Sequence, residues 1–178
     1  MLILPHVALG GGALILEPLA EHHRERLRAA CAEDTQIWQI YPVSMIGAEF
    51  DPTFDAILAS ATRHAFAILD REEVIGTTSY FSQAPDGVVE IGGTYIVPRV
   101  RGSGLNTAVK RLTIDHAFAH GIRRIEFRVD TRNGRSMAAV AKLGATHEGV
   151  LRQNRVTWTG YIRDTAVFGL LRDEWPIR

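Results

Sequence analysis

The sequence predicts an α+β, or mixed α/β, domain built around one sheet, on three observations. The chain has 178 residues, 46% apolar and 22% charged, enough for one domain with a real core, expected to span residues 1–178. Its hydrophobic period changes from helical in the first third to strand-like in the middle. The elements then run helices, three strands, helix, strand, helix and a strand pair, which is not a succession of βαβ units.

Leu14-Ile15-Leu16 reads as a short strand, and Leu19 to Ala32 as a helix with Leu19, Leu27 and Ala30 at apolar positions. A second short helix is expected over Asp34 to Trp38. Tyr41-Pro42 ends it, since a residue before proline is pushed out of the helical region. Asp51 followed by Pro52 has the form of an N-cap and first helical residue, with Phe54, Ile57 and Leu58 on the apolar side. Phe66 to Leu69 and Val74 to Phe81 read as strands joined at Asp70 to Glu73. Val88 to Val97 is a third, after a turn at Pro85-Asp86-Gly87.

Gly102 to His120 reads as a long helix. Leu105, Ala108, Val109, Leu112, His116 and Ala119 share one face, and Ile114 and Phe118 lie opposite, so cover on more than one side is expected. Gly121 stands where a C′ residue would. Ile125, Phe127 and Val129 alternate with Glu126, Arg128 and Asp130, the pattern of a half-buried strand. Asn133 opens a short helix that closes at Leu143-Gly144. Thr146 to Arg155 and Arg163 to Leu171 form the last two strands, around a turn at Trp158-Thr159-Gly160.

Composition excludes several functions. Twenty Lys and Arg balance twenty Asp and Glu, and a formal charge of zero argues against general nucleic-acid binding. Cys31 is the only cysteine, so neither an intramolecular disulfide nor a cysteine metal cluster is available; it reads as a buried small hydrophobe. No His, Cys or Asp spacing suggests a metal. No apolar run is long enough for a membrane span, and no charged n-region of a signal peptide leads the chain, so a cytoplasmic protein without membrane partners is expected.

The chemistry points to the run from Ile96 to Asn106, where a strand gives way to a helix. Gly102 and Gly104 leave backbone N–H groups unshielded by a Cβ. Arg99 and Arg101 add positive charge, and a helix N-terminus follows; together these suit a phosphate or pyrophosphate. No Gly-Lys-Ser/Thr follows, so this is not a Walker A loop. Thr107 stands where a Rossmann fingerprint has its third glycine.

Arg99-Val-Arg-Gly-Ser-Gly104, at a strand end and a helix start, resembles the acetyl-CoA pyrophosphate loop of the GNAT superfamily of N-acetyltransferases. Asn133-Gly-Arg-Ser136 followed by Lys142-Leu-Gly-Ala145 is similar to the Asn-x-x-Ser and Lys-Leu-Gly signature of its Rim-type branch, which includes the ribosomal-protein alanine N-acetyltransferases. Gly160-Tyr-Ile-Arg-Asp-Thr165 and Leu16-Glu-Pro-Leu19 also resemble that branch, and the motifs stand in order along nearly the whole chain.

This resemblance implies a central, mostly antiparallel mixed sheet with helices on both faces. A bulge opens a V between two central strands, and the pantetheine arm of acetyl-CoA lies in it. Gly92-Gly93 suits such a bulge. The resemblance further implies that the backbone of Ile96 and Val97 pairs with pantetheine, and that the Val97 N–H polarises the thioester oxygen. The loop from Arg101 through Gly102, Ser103, Gly104 and Leu105 to Asn106, with Arg99 beside it, would hold the pyrophosphate. Glu90 is the candidate general base; its competing reading is a solvated strand carboxylate or an ion pair. Asn133 either contacts pantetheine or caps its helix. Ser136 either hydrogen-bonds the sulfur or donates to the thiolate, or is satisfied by the backbone; the thiolate's proton comes from Ser136 or from solvent. The short helix carries no tyrosine, where many superfamily members have their general acid.

Trp38 and Tyr41 are candidates for the acceptor site, with core packing the alternative. His116 reads as a packed histidine and His22-His23 as solvated ones. The expected reaction is direct acetyl transfer in a ternary complex to an amine, either a protein N-terminus or a small molecule. The rival is a non-catalytic acyl-CoA-binding or sensing protein. A homodimer through the C-terminal strand pair is one further expectation.

Overall fold

The computed structural model describes residues 4–84 and 86–176, with 82–84 as backbone only. In chain order the elements are β1 (Leu9–Gly11), β2 (Leu14–Pro18), α1 (Arg24–Ala32), α2 (Phe50–Leu58), β3 (Arg63–Asp70), β4 (Glu73–Ala84) and β5 (Val88–Ile96). Then come α3 (Leu105–Ala119), β6 (Arg124–Asp130), α4 (Gly134–Lys142), β7 (Thr146–Val156) and β8 (Ile162–Leu171). Eight strands form one sheet in the order β1-β2-β3-β4-β5-β6-β8-β7, antiparallel except between β5 and β6.

Helices cover both faces, as expected. The Tyr95 hydroxyl on β5 donates to the Ala30 carbonyl on α1, and the Tyr80 hydroxyl on β4 donates to the Thr113 carbonyl on α3. Register and strand alternation place these two tyrosines on opposite faces. Trp38, Tyr95, Phe50, Phe54, Phe66 and Phe127 are the largest fully buried side chains.

Several local expectations change. The first helix begins as a 3-10 turn over Glu21–His23, and the helix expected at Asp34 is a 3-10 turn over Ile37–Ile40. His23 is buried, not solvated, because its ring donates to Glu17 and accepts from the Ala20 N–H. Asp51 does not cap α2; it lies in the first turn, where its carboxylate holds Arg24 and Arg28 of α1. The buried face of α3 carries Val109, Lys110, Thr113, Ile114, Ala117 and Phe118, and Ala119 is exposed. The helix is therefore turned from the stripe that its aliphatic residues suggested. Strand β1 is too short to show a period. In the turn before β5, Pro85 lies outside the described residues; Asp86 and Gly87 form a turn.

Two irregularities make the site. Opposite Thr78 on β4, strand β5 has two residues, Gly93 and Thr94, so it bulges where the paired glycines stand. Gly93 has φ +58°, which a side chain would strain. Strands β5 and β6 pair only from Val88–Arg124 to Glu90–Glu126; beyond that both continue unjoined. The sheet opens there into a V, with Glu90 at its closed end.

Candidate functional site

The open end of the V meets the glycine loop. Gly102 and Gly104 have φ of +83° and +89°, and an added Cβ at either would meet no atom within 4 Å. Gly104 is the N-cap of α3. Among the described residues, the amides of Gly102, Ser103, Gly104, Asn106 and Thr107 have no acceptor within the chain. A loop of exposed amides at a 15-residue helix's positive end fits a pyrophosphate. Ser103 shapes this turn by donating its hydroxyl to the Val100 carbonyl, 2.7 Å away, and accepting weakly from the Leu105 N–H.

The two arginines of the motif do not face the loop. Arg101 donates through Nε to the Ile96 carbonyl at 2.8 Å and through Nη1 to Asp34 at 2.5 Å. Arg99 pairs with Glu73 at 2.8 Å and Glu33 at 3.4 Å. Carboxylates from neighbouring segments hold both guanidiniums, which leaves the backbone amides as the groups of the loop without an acceptor among the described residues. Sequence proximity alone had placed these charges at the phosphates.

The expected role of the Val97 N–H also changes. It donates to the Ile75 carbonyl of β4 at 2.9 Å. Amides alternate sides along a strand, so the N–H that faces the V is that of Ile96, one residue earlier.

Glu90 lies mostly buried at the V's closed end, with 13% of its side chain exposed and Arg128 Nε 3.7 Å away. Burial pushes its carboxyl above the ordinary carboxylate range, against the opposing pull of Arg128, Arg155 and Arg163. On the same face Arg63 donates to the Ser79 hydroxyl at 2.8 Å, and burial lowers it to about 10. Arg163 is 4% exposed and donates to the Thr165 hydroxyl. Glu126 is committed to Arg124 and Arg128, and Asp130 to Arg132. The wall beside Glu90 therefore carries an excess of positive charge.

Asn133 caps α4: its side-chain oxygen accepts from the Ser136 N–H at 3.0 Å. Ser136 is partly exposed in that first turn. Trp38 is a core residue, 1% exposed, stacked on Tyr95 and donating to the Cys31 carbonyl. It is not part of an acceptor wall. Tyr41 does reach the site: its hydroxyl donates to the Thr94 carbonyl in the bulge at 2.5 Å. Trp158, from the β7–β8 turn, closes over the same loop by donating to the Trp38 carbonyl at 2.7 Å. Glu17, His22 and His23 bring three ligand-type atoms within 4.8 Å, but His23 Nε2 carries a proton directed at Glu17.

The sequence reading missed Lys110, Thr94 and Arg63, and took Arg163 only as an ion-pair partner of Asp130 or Asp164. Lys110 had a signal: residues 110, 113, 114, 117 and 118 repeat at i, i+3, i+4, i+7 and i+8, and a lysine occupies the first place of that stripe. The arginines had none, since separate strands bring them together.

Comparison with known proteins agrees with this architecture. The family model "Acetyltransferase (GNAT) domain" matches residues 13–146. A GCN5-related N-acetyltransferase from Brucella melitensis is 31% identical, with TM-score 0.83, over 97% of this chain and 81% of that one. A structure from T. thermophilus, described as an acetyltransferase, is 32% identical, with TM-score 0.88, over 99% and 94% of the two chains. RimJ of Mycobacterium smegmatis, in complex with CoA-disulfide, is 20% identical with TM-score 0.82 over 96% of this chain and 90% of that one, and shares the fold. On the family match and the two nearer structures, this chain belongs to the GNAT acetyltransferase family.

Proposed function

We propose that this protein transfers the acetyl group of acetyl-CoA to a primary amine by direct attack in a ternary complex. One observation carries the reading: the V ends at a buried carboxylate on one side and at a loop of unpaired amides on the other. The pyrophosphate would rest on the amides of residues 102–104, 106 and 107, and the pantetheine arm would run down the V past Ile96. The N–H of Ile96 is the available donor for charge developing on the thioester oxygen. Most of the rate gain comes from holding both substrates in one geometry.

An amine near neutral pH is mostly protonated and must lose a proton to attack. Glu90 accepts it, directly or through one water. Burial suits Glu90 to this by raising its affinity for a proton. The excess of arginine beside it opposes a polyamine. It suits an amine whose neighbouring group is neutral or anionic: a peptide N-terminus or a small amine bearing a carboxylate or phosphate.

Thermal unfolding with excess acetyl-CoA tests the donor site: at about 100 times its Kd, a ligand adds roughly 2.7 kcal/mol. Glu90→Gln then tests turnover, which is expected to fall about 10²- to 10⁴-fold with acetyl-CoA affinity nearly unchanged. Unchanged turnover would remove Glu90 from the mechanism. Binding without turnover for any amine would favour the acyl-CoA-sensing alternative.

A further inference from the structure

Lys110 lies in the V but takes no part in the chemistry given so far to Glu90, Ile96 and the glycine loop. It is 6% exposed and projects from α3 to the opening between β5 and β6. Its Nζ donates to the Thr94 hydroxyl at 2.7 Å on the β5 side and stands 5.7 Å from the centre of the Phe127 ring on the β6 side. Phe127 directly follows Glu126, the last β6 residue joined to β5, and Thr94 lies in the bulge. The amine therefore spans the V near its closed end.

A buried ammonium is costly unless it is paired, yet this one has a hydroxyl as its hydrogen-bond partner. Thr94 in turn bonds Thr78, at 2.7 Å. An ammonium has three donors, and one is used among the described residues. Burial lowers its proton affinity to about 7. The charged group acting on it is Glu90 of β5, while β6 presents Phe127 and β4 the Thr78 hydroxyl.

We infer that Lys110 is the acid that protonates the departing CoA thiolate, the role for which α4 supplies no tyrosine. This rests on the acetyl-transfer reading. The argument is positional: the thioester must lie close enough to Glu90 for Glu90 to take the amine's proton. With its carbonyl oxygen on the Ile96 N–H and the amine's proton passing to Glu90, its sulfur lies between those two residues along β5, where Nζ, hydrogen-bonded to Thr94, stands. The acceptor nitrogen bonds to the acetyl carbon, and the C–S bond breaks with its electron pair on sulfur. Lys110 gives a proton to sulfur, and Glu90 holds the proton lost by the amine. Transfer of that proton to the neutral Lys110 restores both groups.

The test needs no acceptor. CoA bound to the full chain is titrated by the ultraviolet absorbance of its thiolate, against desulfo-CoA as blank, in wild type, Lys110→Met and Lys110→Gln. The CoA thiol is expected to ionise at least about one pH unit lower in wild type than in either variant, as it does beside a cation. Each variant is expected to keep acetyl-CoA affinity within about threefold. Lys110→Met is expected to unfold no earlier than wild type, since an apolar chain replaces a buried amine. With an active acceptor, turnover falls about 10²-fold in the variants, and the basic limb of the kcat profile disappears. The same thiol titration in all three proteins, or an intact basic limb, overturns the assignment and leaves acetyl transfer standing. Failure of CoA to bind wild type takes down both.

Discussion

Arg101 and Asp34, far apart in sequence, meet at 2.5 Å between α1 and the end of β5, and the same guanidinium holds the Ile96 carbonyl. The residue that motif spacing assigns to phosphate thus fixes the strand end whose N–H faces the V. A double-mutant cycle with Arg101→Gln and Asp34→Asn is expected to give about 1–2 kcal/mol of coupling in unfolding free energy. Asp34→Asn, which touches no phosphate, should weaken acetyl-CoA about as much as Arg101→Gln. A large loss for the arginine variant alone would return Arg101 to the phosphate.

The glycine loop separates backbone strain from ligand access. Gly102→Ala and Gly104→Ala each place a side chain at positive φ, at a cost of about 1 kcal/mol. Each Cβ finds open space in the free protein, so the fold should survive. A cradling loop has no room for that Cβ beside a pyrophosphate, and acetyl-CoA affinity by calorimetry is expected to fall tenfold or more. Unchanged affinity would place the pyrophosphate elsewhere.

Acceptor choice should follow the charge beside Glu90. Across a panel of amines of similar size, those bearing a carboxylate are expected to show lower KM than polyamines. Arg163→Gln should raise KM for the anionic acceptors about tenfold, the worth of a lost charged hydrogen bond, with a smaller change in kcat. Preference for a polyamine in wild type would contradict this reading of the wall.

Stability should depend on pH through the buried His23 and the half-buried His116. Burial lowers the proton affinity of His23 and His116 below the ordinary imidazole value near 6.5. The unfolded chain therefore binds more protons just below that pH. The histidines' share is complete above about pH 6.5 and falls as pH drops through it, by at most about 1.4 kcal/mol per pH unit for each group; Lys110, lowered to about 7, adds its own decline from the ordinary lysine range down to about pH 7. Thermal midpoints from pH 8 to 5 should show this decline, and His116→Gln should flatten it. A midpoint that rises toward pH 5 would reverse the assignment.

By itself the sequence determined what is local. Turns at Arg71-Glu72 and Gly121, the period-2 pattern of β6, the Asn133 cap and the weak spot at Gly92-Gly93 follow from residues within a few positions of one another. So does the glycine loop, whose positive-φ glycines are a property of its own backbone. The tertiary structure decided which groups share a space. It turned α3 so that Lys110 is buried while Leu112 packs only partly against the core, and it drew Arg99 and Arg101 onto Glu73 and Asp34. It also set which side of β5 each amide faces, giving Ile96 rather than Val97 to the V. Helix rotation, strand register and ion pairing depend on partners distant in the chain, whose positions local periodicity does not encode.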